Sequence, residues 1–193
     1  MARTYCDGVA SGALHPVHTP YHDTEYGFPV EDEAALLERL VLEIHQAGLS
    51  WELILRKRDG YRIAFDGFDP ERVAAYDDAR IEEMALNPGI VRNRAKIRAS
   101  VHNARVIVGL RDRHGGFSAW LEAHHPLSHP EWVALFRRTF RFMGPEIVGE
   151  FLMSTGYLPG AHEPECPVHA RAIAAGAAWA RDLSGADSAA SPR

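Results

Sequence analysis

"EDEAALLERLVLEIHQAG", residues 31 to 48, places apolar side chains at Leu36, Leu37, Leu40, Val41, Ile44 and Ala47. Steps of three and four put them on one face of an α-helix, and Gly48 is a natural stop. Glu43 breaks the pattern. At about 100° per residue it falls about 20° from Leu36 and about 40° from Ala47, at the border of the apolar stripe. A carboxylate there either snorkels to solvent, finds a partner or faces a cavity.

The same period runs outward in both directions. "FDPERVAAY" (68–76) opens a helix with Asp69 as cap and Pro70 in the first turn. "DARIEEMAL" (78–86) is a second short helix, and "NPG" (87–89) a tight turn. Beyond it Ile97, Val101, Ala104 and Val108 line one face of a long basic helix, and "MGPEIVGEFLMSTG" (143–156) is a helix opened by Pro145 and closed by Gly156. No alternating strand interrupts them, so the expected fold class is all-α. One domain is expected over residues 1–181, followed at 182–193 by a small, polar, disordered tail.

Of the 193 residues 46% are hydrophobic, enough for a core, and 24% are charged. No apolar run of about eighteen residues suggests a membrane span. "MARTYCDGVASG" at the start lacks the apolar stretch of a signal peptide, so a cytoplasmic location is expected. There the two cysteines, Cys6 and Cys166, favour a metal site or a buried thiol over a disulfide. The net charge of -5 argues against nucleic acid as a partner, but the charge is unevenly spread. From Gly89 to Arg111 there is no acid, while Arg92, Arg94, Lys96, Arg98, Arg105 and Arg111 all fall in that window. "RRTFR" (137–141) is a second basic knot. Such runs also fit solvated helix faces.

"HEPEC" (162–166) sets His162 four residues before Cys166, a spacing that lets both side chains converge from one turn. With Cys6 and one of His15, His18 or His22 they would make a Cys2His2 set of the kind that holds structural zinc. His22-Asp23 also fits the His-Asp pair of divalent-metal phosphohydrolases. Trp51, just past Gly48, and Tyr21 and Tyr26, flanking His22, add rings to the Glu43 carboxylate. Together they sketch a site for a flat, cationic, hydrogen-bonding ligand.

"YHDTEYGFP", "LEIHQAGLSW", "NPGIVRNRAKI", "FRFMG" and the closing "HEPEC", in this order, resemble the 3-methyladenine DNA glycosylase I family over roughly Cys6 to Cys166. The resemblance implies an all-helical helix-hairpin-helix DNA glycosylase fold with a structural zinc joining the two ends of the chain. It assigns the metal ligands to Cys6, His22, His162 and Cys166. It reads "NPGIVRNRAKI" as the DNA-binding hairpin, with Gly89 admitting a phosphate and Arg92, Arg94 and Lys96 adding charge. It makes Glu43 the pocket glutamate and catalytic residue, Trp51 the stacking tryptophan and Tyr21 a pocket tyrosine. Tyr26 stands where the family often carries tryptophan. Gly8 and His18 replace aromatic positions, and the first loop carries an insertion. The implied activity is monofunctional excision of 3-methyladenine from alkylated double-stranded DNA by a monomer, with the free base as product. A zinc-stabilised helical module that binds DNA without catalysis is the alternative from another class.

Overall fold

The computed structural model describes residues 4–181, and the elements among them are all helical. The polar stretch from Asp182, expected to be disordered, lies outside the described residues. In chain order the helices are α1 (Tyr5–Ala10), α2 (His18–Thr24), α3 (Glu33–Gln46), α4 (Trp51–Arg56), α5 (Arg58–Ala64), a 3-10 turn (Asp66–Phe68), α6 (Pro70–Ala74), α7 (Asp78–Leu86), α8 (Arg94–His114), α9 (Phe117–His124), α10 (His129–Thr139), α11 (Pro145–Ser154) and α12 (Pro167–Ala174). They gather into two compact units, one of residues 31–151 and one of the flanking stretches up to Val30 and from Leu152.

In the larger unit α3 starts where Asp32 accepts from the Ala35 amide at 2.8 Å. The sequence suggests one buried stripe. Instead every residue from Leu36 to His45 is buried, because α4, α6, α8, α9 and the 3-10 turn pack around the helix. Its polar side chains therefore need partners inside the protein. Glu38 accepts from Arg58 Nε at 2.8 Å and from Arg62 Nε at 2.9 Å. Burial alone would raise its carboxyl, yet the two guanidinium groups hold it below the ordinary range.

The Asp69 carboxylate caps α6 as expected, accepting from Glu71 and Arg72 amides at 2.9 and 3.1 Å. The turn after α7 closes on itself, with the Gly89 amide donating to Asn87 Oδ1 at 2.8 Å. Its backbone rests directly on α5: a Cβ at Gly60 would lie 2.4 Å from the Gly89 carbonyl oxygen. Helix α8 begins at the Asn93 cap, runs 21 residues and ends on Gly115 in the left-handed region (φ 83°). Phe117, Trp120, Trp132, Phe136, Phe140 and Phe151 are buried together beyond it.

In the smaller unit Thr4 and Asp7 form a capping box at α1. Gly8 is buried against Leu14 of the following loop: a Cβ at Gly8 would lie 2.9 Å from the Leu14 side chain. Gly27 (φ 83°) lets the chain pass close to Ala161 and donates its amide to the Ser154 carbonyl at 3.0 Å.

Candidate functional site

Of the three histidines open as a fourth ligand, only His22 joins the cysteines. Ligand atoms of Cys6, His22, His162 and Cys166 all lie within 4.8 Å of one another in the smaller unit. Cys6 Sγ is 3.6 Å from His162 Nδ1, Cys166 Sγ is 3.7 Å from His22 Nε2 and 4.0 Å from His162 Nδ1. A tetrahedral ion with metal–sulfur bonds of about 2.3 Å and metal–nitrogen bonds of about 2.0 Å sets such atoms roughly 3.3–3.8 Å apart. The far side of each imidazole is also arranged. His22 Nδ1 donates to the Asp23 carboxylate at 2.7 Å and His162 Nε2 to the Tyr26 carbonyl at 2.7 Å. Each ring thereby turns its lone pair toward the thiols, the outer arrangement that metal-binding histidines use. Asp23 orients His22 rather than forming a phosphohydrolase pair with it. Burial, with the nearby Cys166, pushes the Cys6 thiol up to about 11, and burial lowers His162. A thiolate in that setting needs a cation beside it. The donor set fits a metal ion, which would tie residues 6 and 22 to residues 162 and 166.

His15 is exposed, and its ring accepts from the Val17 amide. His18 is buried and hydrogen-bonded to the Tyr5 hydroxyl at 3.2 Å. Tyr26 meets Tyr21 at a ring separation of 5.5 Å and the His162 ring edge-on at 5.6 Å. Since the Tyr26 carbonyl also accepts from His162, the Cys2His2 cluster fixes both backbone and ring of this candidate pocket residue. Tyr21 is 2% exposed.

Glu43, in the last turn of α3 in the larger unit, is 4% exposed and not at a solvent edge. Burial, reinforced by the Glu150 charge and opposed by Arg39, pushes its carboxyl up to about 8. The chain then turns through Gly48 (φ 82°), with Gln46 Nε2 donating to the Leu49 carbonyl at 2.8 Å, and Ser50 caps α4 so that Trp51 is its first residue.

The basic window is mostly committed. Arg94 pairs with Glu82, Arg98 with Asp78 and Glu82, and Arg111 with Glu33 and Glu71. Arg105 donates to the Ala74 and Tyr76 carbonyls at 2.8 and 2.7 Å. Lys96 departs furthest from the expectation of a phosphate-facing charge. It is 7% exposed, and its ammonium donates to the His45 and Ala47 carbonyls at 3.0 and 2.6 Å. At the end of α3 it closes carbonyls that the helix leaves open. Arg92 is exposed on the turn itself.

The second basic knot ends in a loop that sequence reading left without a role. Asn103 of α8, fully buried, donates to the Arg141 carbonyl at 3.1 Å and accepts from the Arg141 amide at 2.8 Å. Arg137 Nε donates to the Met143 carbonyl at 3.1 Å. Between these clamps Phe142 takes a left-handed backbone conformation (φ 61°) and stands 47% exposed beside a shallow cavity of ≈ 570 Å³. Arg141 is exposed and lines the cavity, Arg138 is exposed at the end of α10, and residues 132–145 contain no acid. In the sequence the loop shows only as a charge run and as the "FRFMG" stretch, to which no role was given.

The model of the methyladenine glycosylase family matches residues 11–131. DNA-3-methyladenine glycosylase 1 of Escherichia coli (strain K12) is 34% identical over 160 residues, covering 73% of this chain and 86% of that protein. The DNA-3-methyladenine glycosylase of Haemophilus influenzae is 34% identical over 170 residues, covering 78% and 91%. A solved structure described as the basis of 3-methyladenine recognition by 3-methyladenine DNA glycosylase I from Staphylococcus aureus aligns at TM-score 0.73 and 31% identity, covering 86% of this chain and 97% of that one. The fold is thus that of an all-helical DNA-repair glycosylase, a hydrolase of N-glycosyl bonds. The chain belongs to the methyladenine glycosylase family.

Proposed function

We propose that the chain excises 3-methyladenine from alkylated double-stranded DNA, with Glu43 as the residue that recognises the base. What supports this most is a buried carboxyl in the last turn of α3, raised to about 8, in a chain of this family. An enzyme acting on a duplex base must first flip it out, at a cost of a few kcal/mol that is smallest for a damaged base. The N3-methylated base is a cation and leaves the sugar as a neutral molecule, so its glycosidic bond is already weak. Near neutral pH the empty site holds Glu43 largely protonated. A bound cation favours the ionised form, and Glu43 then accepts a hydrogen bond from the exocyclic amine. Neutral adenine brings no charge to offset the cost of a buried carboxylate, and that difference discriminates. Trp51, Tyr21 and Tyr26 supply ring surface for stacking. Water then attacks the oxocarbenium-like sugar.

The enzyme is monofunctional in this reading. A lyase step needs an amine nucleophile. The chain has only two lysines, and both ammonium groups are engaged with carbonyls: Lys57 with Pro88 at 2.7 Å, Lys96 with His45 and Ala47. The DNA backbone is held at Gly89 and Arg92 of the turn, at Arg94 at the start of α8 and, in addition, at Arg138 at the end of α10 and Arg141 of the 140–144 loop. Lys96 is not among these contacts. Cys6, His22, His162 and Cys166 hold a structural zinc, whose chemistry is to lock the chain ends and keep both thiols ionised.

The test is chromatography of bases freed from a methylated duplex, run beside a binding assay. Release of 3-methyladenine with intact sugar-phosphate strands is expected. Binding without release would establish the non-catalytic DNA-binding module instead.

A further inference from the structure

Both lysines of this arginine-rich chain are spent around the 87–93 turn. Between them runs a line of side chains with a single hydrogen direction. The Val91 amide donates to the Tyr61 hydroxyl oxygen at 3.1 Å, and that hydroxyl donates to His45 Nδ1 at 2.9 Å. His45 Nε2 faces Ser100 Oγ at 3.5 Å, and the Ser100 hydroxyl donates to the Lys96 carbonyl at 2.9 Å. The Lys96 ammonium closes the circuit on the His45 and Ala47 carbonyls. His45 and Ser100 are fully buried, and the Gly89 backbone lies against Gly60 just outside. Burial, then the Lys96 charge, pushes the His45 imidazole down to about 3. It is neutral at working pH, with its proton on Nε2 and its Nδ1 free to accept from Tyr61.

A methionine at 96 would fill similar space without burying a charge. What the ammonium adds is a fixed position for the open carbonyl end of α3, the turn that carries Glu43 and leads to Trp51. We propose that Lys96 and Tyr61 are positioning residues that lock the 87–93 turn to the end of α3, so that DNA gripped at the turn is held in one register with the base-recognising carboxyl. This rests on the proposed roles of the turn and of Glu43.

The experiment measures single-turnover release of 3-methyladenine from a methylated duplex at saturating enzyme, and separately the Kd for an undamaged duplex. Lys96→Met and Tyr61→Phe are each expected to slow release about tenfold, the effect of a small misplacement at a reacting centre, with Kd within about twofold of the parent. Lys96→Arg, which keeps a cation for the carbonyls, is expected to recover most of the rate. In Tyr61→Phe the His45 ring nitrogens are expected to change their 15N shifts while the ring stays neutral. Release at the parental rate in Lys96→Met, or slower release accompanied by a matching rise in Kd, would overturn the proposal. So would equal losses in Lys96→Met and Lys96→Arg, the mark of a packing role. Arg92→Ala tests the underlying reading separately: if it leaves Kd unchanged the turn does not grip DNA, whatever the Lys96 variants do.

Discussion

Glu43 of α3 and Glu150 of α11 are two carboxyl groups whose charges reach each other inside the larger unit. Burial is the first reason that Glu43 titrates near 8, Glu150 the second, and only Arg39 opposes them. If the cationic base is bound by ionised Glu43, kcat/KM for base release rises with pH toward about 8 and levels off above it. Glu150→Gln removes one raising influence, so the rising limb moves to lower pH. A pH profile of kcat/KM for both proteins checks this, and an unmoved limb would separate Glu150 from the site.

The same carboxyl has a cost in stability, and its sign is fixed. Glu43 ionises near the ordinary 4.5 in the unfolded chain and near 8 in the folded one. Between these values the folded state binds more protons, so its stability falls as pH rises, by up to about 1.4 kcal/mol per pH unit. Glu43→Gln removes this slope. Denaturant unfolding at pH 5 and pH 8 is expected to show the variant gaining on the parent at the higher pH, and a parallel loss at both would contradict the burial argument.

Cys166→Ser removes one of the four proposed zinc ligands. The variant is expected to lose its zinc and to melt lower by on the order of 10 °C. Elemental analysis of the pure parent is expected to give one zinc per chain. Because Tyr26 is held by His162 through its carbonyl at 2.7 Å, base release should weaken as well, and only as a consequence of metal loss.

Arg141, beside the exposed Phe142, and Arg138, at the end of α10, have no carboxylate partner among the described residues, unlike Arg94 and Arg98. Arg141→Ala is therefore expected to weaken duplex binding regardless of sequence and to reduce the slope of log Kd against log salt by about 1. Arg98→Ala should alter that slope little. The opposite ranking would return the DNA grip to the α8 face.

The helices were legible because local chemistry decides them. Asp69 and Pro145 open helices, and Gly48 and Gly156 follow their ends, where the sequence places them. The four candidate ligands were legible only with the family resemblance, since spacing alone left His15, His18 and His22 equal. Two things were hidden because they depend on partners distant in sequence. The acid-free run looked like an open basic face, yet Glu33, Glu71, Asp78 and Glu82 arrive from other helices to neutralise it. The single-faced reading of α3 could not foresee that five elements would enclose it and carry Glu43 from a border into the interior.

Release of 3-methyladenine by Glu43→Gln, compared with the parent on the same methylated duplex, bears most directly on the base-recognition claim. The account expects the variant to keep its fold and its grip on DNA while base release falls about 100-fold or more, the scale of losing one preorganised charge partner. Release at the parental rate would contradict it.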